Sequence, residues 1–275
     1  MKGTVVVRGG GDLATGTILR LHECGFFVLA LECAHPTAIR RKVALCEAVY
    51  DGVTRVEGAT CRRIDTPQQA QGVWDAGEIP LLVDETGASL AHIHPIALVD
   101  AILAKRNLGT TRDMAPITIA LGPGFTAGVD VDAVVETKRG HRLGRVLYEG
   151  SACPNTGVPG NIGGYDRERV IHAPADGPLV PCAAIGDVVQ AGQTLAMLGE
   201  VPVPATIDGV LRGLIREGFP VTRGLKIADI DPRLQERENC TTVSDKARAI
   251  GGGVLEALLH LAWQRGLTQA LLGGA

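Results

Sequence analysis

Thr4-Val5-Val6-Val7-Arg8-Gly9-Gly10-Gly11-Asp12-Leu13-Ala14-Thr15-Gly16 is the stretch whose reading decides the fold. Its β-branched run reads as a buried parallel strand, the triple glycine breaks it, and apolar Leu13, Ile18 and Leu21 follow at helical spacing. The order is strand, tight turn, helix. Gly9, Gly11 and Ala14 fit G-x-G-x-x-A, in which glycines let backbone amides approach a pyrophosphate resting on the positive end of the next helix. On this reading Gly9, Gly10, Gly11, Asp12, Leu13, Ala14 and Thr15 wall a cofactor site. Phe27-Val28-Leu29-Ala30-Leu31-Glu32 is the second strand, and Glu32 lies 23 positions past Gly9, close to where a ribose-binding acid belongs. Glu32 reads equally as the polar end of a strand, and in a chain with 36 glycines the glycine pattern also arises by chance.

Length and composition narrow the class. A chain of 275 residues exceeds most single cores and predicts two domains. A net charge of -3 with both signs scattered, and 3% aromatic residues, offer neither a basic stripe nor stacking platforms, which argues against nucleic acid as partner. The N-terminus runs into a strand instead of a signal-peptide core, and no apolar run approaches roughly 18 residues, so a soluble cytoplasmic protein without membrane attachment is expected. A homo-oligomer is open. Seven cysteines without a C-x-x-C pair argue against a zinc ribbon or disulfide scaffold and for reduced thiols.

Further along, Ile39, Val43, Leu45, Ala48 and Val49 predict a helix over 37–50 with Arg40-Arg41-Lys42 near its start. Arg40 and Arg41 could meet a ribose phosphate or form a solvated helix face. A helix over 66–76, a strand over 79–83 and a helix over 95–105, with Ile96, Val99, Ile102 and Leu103 inward, complete an alternation that predicts an α/β fold with a parallel sheet covered on both faces. His92 and His94 have no further ligand beside them and read as a loop pair without metal. Ile117 to Leu121 is the next buried strand and runs into Gly122-Pro123-Gly124-Phe125, a second glycine-rich loop at the same carboxyl edge of the sheet. Gly122, Pro123, Gly124 and Phe125 therefore join the candidate cofactor site, with Asp84, Asp100, Lys105 and Asn107 as further residues for that edge. Residues 131–137 and 143–148 flank Lys138-Arg139-Gly140-His141-Arg142, a hairpin whose basic tip reads as a solvated turn.

Residues 175–198 and 207–230 superimpose without a gap: Asp176-Gly177 on Asp208-Gly209, Gly186 on Gly218, Val189 on Val221, Gly192 on Gly224, Leu195 on Ile227 and Leu198 on Ile230. Each copy holds short strands too small to bury a core alone, so the two should interlock into one all-β sandwich. The repeat resembles the biotinyl and lipoyl carrier fold, the barrel-sandwich hybrid. The hairpin between its halves, Leu198-Gly199-Glu200-Val201-Pro202-Val203, lacks the modified lysine of a carrier, which leaves a docking or positioning module. Near the end, Ser244 can cap a helix reaching about Arg265, in which Gly251-Gly252-Gly253 implies close backbone packing, a kink or a later start. Cys240, just before that helix, could be a reactive thiol carrying sulfur or selenium, or a buried hydrophobe.

The expected organisation is a Rossmann-like cofactor-binding domain over 1–150, a Gly/Pro-rich linker over 151–168, the small β domain over 169–233, and a helical segment over 234–275 that returns to the first domain. Taken together, V-R-G-G-G-D-L-A-T-G, A-I-R-R-K-V-A-L-C-E-A-V-Y-D-G, L-G-P-G-F-T-A-G-V-D-V, R-G-H-R-L-G-R-V, P-N-T-G-V-P-G-N-I-G-G-Y and C-T-T-V-S-D-K-A-R-A-I-G-G-G-V-L-E-A-L resemble the YqeB-type family of selenium-dependent molybdenum hydroxylase accessory proteins. The resemblance implies a role in maturing a xanthine dehydrogenase-like client enzyme, by handling its molybdenum cofactor or the selenium added to it. It transfers no catalytic residue. A pterin dinucleotide and NAD(P) both carry the diphosphate that glycine-lined helix ends grip, so an NAD(P)-dependent oxidoreductase and a selenium or sulfur transferase using Cys240 stand as alternatives.

Overall fold

The computed structural model describes residues 3–273 as a mixed α/β protein of two compact units. Within the described residues the first unit comprises 3–36, 44–155 and 243–273, and the second comprises 37–43 and 156–242.

The first unit is built on β1 (Thr4–Arg8), α1 (Asp12–Glu23), β2 (Phe27–Glu32), α2 (Ala48–Asp51), β3 (Val53–Val56), β4 (Ala59–Ile64), α3 (Ala70–Asp75), β5 (Ile79–Val83), α4 (Leu90–Ile93), β6 (Ala97–Asp100) and β7 (Ile117–Leu121). β8 (Thr126–Ala127), β9 (Ala133–Val135), β10 (Val146–Leu147), β11 (Gly150–Ser151), α5 (Asp245–Gln264) and α6 (Thr268–Leu272) complete it. One sheet runs in the order β10-β9-β7-β6-β1-β2-β5-β4-β3, parallel from β9 to β4 and closed at each edge by an antiparallel strand. The central strands read as near-continuous apolar runs because both faces are covered: Val5, Val6 and Val7 are all fully buried. On one face Val6, Leu29, Leu31 and Leu98 pack with Val73 of α3 and Leu90 of α4. The chain leaves β1 toward β2 and comes back to β6 on β1's other side, so the strand order reverses between β1 and β6. In open α/β sheets a ligand crevice lies above the carboxyl ends at such a reversal.

Two predicted helices are absent. Residues 95–105 contain β6, whose four residues are all buried between β1 and β7; the 3.6-residue spacing of Ile96 and Val99 is accidental in a short strand apolar on both faces. Residues 37–50 form two short 3-10 turns, Arg41–Val43 and Leu45–Glu47, ahead of the four-residue α2.

The second unit holds β12 (Val170–His172), β13 (Gly177–Pro181), β14 (Val188–Val189), β15 (Thr194–Leu198), β16 (Val201–Pro204), β17 (Gly209–Leu214), β18 (Pro220–Val221) and β19 (Lys226–Asp231). The duplication is visible strand by strand, with β13, β14 and β15 repeated as β17, β18 and β19. Two four-stranded sheets result, β12-β19-β17-β14 and β16-β15-β13-β18. Each copy lends its short middle strand to the other copy's sheet, and Leu179, Leu195, Leu211 and Ile227 share one core. Residues 37–43 join this unit because Ile39 O accepts from Leu214 N–H at 2.9 Å and the Lys42 ammonium donates to Ile185 O at 2.6 Å. Among the described residues no helix is long and apolar enough to cross a membrane.

Candidate cofactor-binding site

The turn after β1 begins with two glycines required by packing. Gly9 has φ +105°, and a Cβ there would lie 2.8 Å from Ala101 O, in the segment after β6. A Cβ on Gly10 would lie 3.0 Å from Cys46 N, and Gly10 O accepts the Cys46 N–H at 2.8 Å. Gly11 differs. It is the N-cap of α1 at φ −67°, and a Cβ there meets nothing within 4 Å. Asp12 occupies the first turn of α1, where a carboxylate complements the helix dipole, and Leu13 beside it is half-buried. Ala14 and Thr15 are packing residues: both are buried, and Thr15 Oγ1 donates to Gly10 O at 3.1 Å and accepts from Leu45 N–H at 2.9 Å. Glu32 Oε2 accepts the Gly10 N–H and Oε1 the Cys33 N–H, each at 2.8 Å, so this carboxylate fastens the end of β2 to the glycine turn. Ribose hydroxyls would have to share it.

The second glycine turn, after β7, lies at the same carboxyl edge with β6 between the two. Its glycines are closed in. A Cβ on Gly122 (φ +74°) would lie 2.5 Å from Thr137 Oγ1, and one on Gly124 (φ +109°) 2.6 Å from Arg106 Cα. Pro123 is half-buried between them, and Phe125 is buried in an apolar cluster with Ala120, Ala127, Val131 and Val134. The segment after β6 thus touches both turns, through Ala101 and Arg106. Below it Thr110 Oγ1 accepts from Arg8 at 2.6 Å and donates to Asp100 at 2.6 Å, with all three side chains buried. Asn107 accepts the Gly109 and Thr110 N–H groups, and Asp84 those of Gly87, Ala88 and Ser89. These residues shape loops. Lys105 sits in the same segment at φ +62°.

Beyond β9 the edge carries charge, including Arg139 of the basic tip that the sequence reads as a solvated turn. Glu136 is buried and accepts the Lys138 N–H at 2.7 Å and the Cys153 N–H at 2.8 Å. Burial works to raise its carboxyl, but these hydrogen bonds outweigh it and hold the pKa below the ordinary value. Arg139 makes a bidentate pair with Asp245, at 2.8 and 3.0 Å, in the first turn of α5. Ser244 caps that helix, accepting the Ala247 N–H at 3.2 Å. Lys246, next in the turn, is half-buried; burial pushes its ammonium pKa down, Arg139 adds to this, and Asp12, Glu136 and Asp245 oppose it. α5 reaches this place by backbone contact with α1. A Cβ on Gly16 would lie 2.7 Å from Ala247 Cβ, and one on Gly251 2.7 Å from Gly16 O. Gly251 and Gly253 are therefore packing glycines in an unbroken helix. A lysine in a helix's first turn opposes the dipole, and that was the sequence signal for Lys246.

Three expected site residues fall in the second unit. Arg40 donates to Thr242 O at 3.3 Å and Arg41 to Leu214 O at 2.7 Å, so both guanidinium groups bind backbone carbonyls of that unit. Cys240 lies in the last turn of a 3-10 helix over Leu234–Thr241, is 2% exposed in the apolar core, and burial raises its pKa. Burial and the raised pKa favour the protonated thiol.

No protein-family profile matches the chain. Among solved structures it is weakly similar to the ectoine utilization protein EutE (DoeB) from Ruegeria pomeroyi, with 9% identity and a TM-score of 0.25 over 83% of this chain and 86% of that one. A succinylglutamate desuccinylase/aspartoacylase from Rhodobacter sphaeroides gives 14% and 0.28 over 84% and 86%. Likenesses of this degree carry no functional information. In sequence the chain is 53% identical over 260 residues to the uncharacterized protein YqeB of Escherichia coli K12, covering 94% of this chain and 48% of that protein. The chain spans about half the length of this curated relative, and along nearly all of its own length it is similar to a YqeB-type protein.

Proposed function

We propose that this protein is a cytoplasmic accessory factor in the maturation of a selenium-dependent molybdenum hydroxylase, and that its first unit binds the phosphates of a pterin dinucleotide at the Gly11 turn. One observation carries the site. Gly11 leads the 12-residue α1 beside the strand-order reversal, and the direction in which its Cβ would point is open. Backbone amides at such a helix start suit an anion, and the open space at Gly11 leaves room for one. The pathway comes from the motif resemblance; the 53% identity with an uncharacterized YqeB protein supports the family and not the pathway.

On this reading the first unit is Rossmann-like, resting on the β1-turn-α1-β2 succession, and the second is a barrel-sandwich hybrid used to dock the client enzyme. The two-residue turn Gly199-Glu200 between β15 and β16 occupies the carrier position without a lysine. A bound molybdenum cofactor supplies redox chemistry to the client. This chain's residues bind and orient its phosphates. Glu32, each of whose oxygens accepts a backbone N–H, would have to share itself with a ribose hydroxyl of either dinucleotide.

Equilibrium dialysis of the purified chain against isolated molybdenum cofactor, with NADH in parallel, tests the reading. Retention of the pterin, weakened at least tenfold in Gly11→Val, is expected. Retention of NADH alone would favour the oxidoreductase, and equal pterin retention by a folded Gly11→Val would remove the site.

A further inference from the structure

We propose that the outer face of the sheet β16-β15-β13-β18 is a docking surface, covered through an uncharged apolar contact by a domain equivalent to the part of YqeB outside the region this chain matches. The inference goes beyond the docking role given above to the second unit, because it names the face and an occupant other than the client enzyme. None of it depends on a ligand in the first unit.

The strand register decides which side chains share that face. Leu179 opposes Leu198 and both are buried in the core, so the neighbouring pairs Val180–Met197 and Met197–Pro202 point the other way. Pro178, opposite Pro220, and Pro204, one alternation past Pro202, extend the row. Val180 is 51% exposed, the four prolines are exposed and Met197 is half-buried. No residue in these four strands is charged. An antiparallel sheet that keeps one face in water alternates apolar with polar residues, and this one does not. Contiguous apolar exposure of this kind marks an interaction surface.

The duplication shows the same face with its cover in place. β17 and β19, the later copies of β13 and β15, lie in a sheet where every residue of β17 is buried and a Cβ on Gly213 would lie 2.6 Å from Ile39 Cγ2. Asp229 and Asp231 in that sheet are answered by Arg169, Arg212 and Arg233. The earlier copy presents an open face instead. Its occupant follows from the length of the relative: the matched region is 48% of YqeB, so about half of that protein lies outside it. Domains joined in one chain bury about 600–1,500 Å² between them, and an uncharged face is one that a neighbouring domain can cover without stranding a buried charge. Strand addition at the edge is disfavoured, because Pro202 and Pro204 of the edge strand β16 carry no N–H.

Maleimide labelling resolved by peptide mass spectrometry tests the assignment on this chain and on full-length Escherichia coli YqeB. A cysteine placed by Val180→Cys here, and by the aligned substitution in YqeB, should label at least tenfold more slowly in YqeB. Val188→Cys, at an exposed position of the other sheet, should label within twofold in the two proteins. Equally fast labelling at the Val180 position in both proteins overturns the proposal. Slowing at both positions in YqeB also overturns it, because the cover would not be confined to this face. Slow labelling of Val180→Cys in this chain that accelerates on dilution identifies a second copy as the occupant and overturns it as well. A charge gives a readout that needs no thiol: Val180→Glu should leave the melting temperature of this chain unchanged, and the aligned substitution should lower that of YqeB by several degrees. An unchanged melting temperature in YqeB overturns the proposal. Each of these outcomes leaves the Gly11 site standing.

Discussion

The two glycine turns at the carboxyl edge of the large sheet look alike in sequence and differ in what their glycines are for. In the turn at 122–124 both glycines have positive φ and both missing Cβ atoms point into occupied space, Thr137 for one and the Arg106 backbone for the other. In the turn at 9–11 the first two glycines are enclosed in the same way, by Ala101 and Cys46, while Gly11 has ordinary φ and open space before it. Glycine richness after a parallel strand therefore mixes positions closed by crowding with one that faces open space. The direction of the absent Cβ separates them.

The most severe break in this comparison comes from Gly124→Ala. An alanine would have to hold φ +109° and seat its methyl against Arg106 Cα. The left-handed conformation costs about 1–2 kcal/mol, and overpacking against backbone adds roughly 1–3. Chemical denaturation should show a loss of about 3 kcal/mol; a midpoint within error of wild type would mean that this turn is not closed.

The same distinction explains what was legible. The duplicated half could be read because its period is written in glycines and apolar residues, and β13, β14 and β15 recur as β17, β18 and β19 at the matched positions. The exchange of β14 and β18 between the sheets followed from each copy being too small to bury a core. The segment 37–43 was not legible, because Ile39, Arg41 and Lys42 find partners at Leu214 and Ile185, far away in sequence. The sequence around β6 reads as a helix because a four-residue strand buried on both faces has no period-2 alternation to show. From the sequence Gly11 reads as part of a candidate site, while Lys246 shows only as a cation in a helix's first turn. A lysine counts as a solvated charge until a tertiary contact, here Gly16 on Ala247, shows that its helix is pressed against another.

A pH experiment sharpens the wall of the closed turn. Glu136 precedes Thr137, whose hydroxyl lies under Gly122, and its carboxylate accepts two backbone N–H groups. Its folded pKa is depressed, so the stability it contributes is present above the unfolded carboxylate pKa and lost as pH falls through the folded value. Wild-type stability should decline as the solution is acidified below the ordinary glutamate range. Glu136→Gln should be less stable at neutral pH and show a shallower decline, measured as denaturation midpoint against pH. Parallel curves for the two proteins would show that the carboxylate does not hold this wall.

Gly11→Ala should have the smallest effect on stability, and that smallness is its use. Alanine is a poorer N-cap than glycine by roughly 0.5–1 kcal/mol, while replacing glycine stiffens the unfolded chain by about 0.4–1 kcal/mol in the opposite sense. With φ at −67° and no atom within 4 Å of the new methyl, nothing else enters. The two terms should leave the unfolding free energy within about 0.5 kcal/mol of wild type. A clear loss would mean that Gly11 is crowded like Gly124 and that both turns are closed structural features. A neutral result keeps the asymmetry, and the methyl then probes the open space alone: a change in retention of the molybdenum cofactor by Gly11→Ala would reflect that space and not the fold.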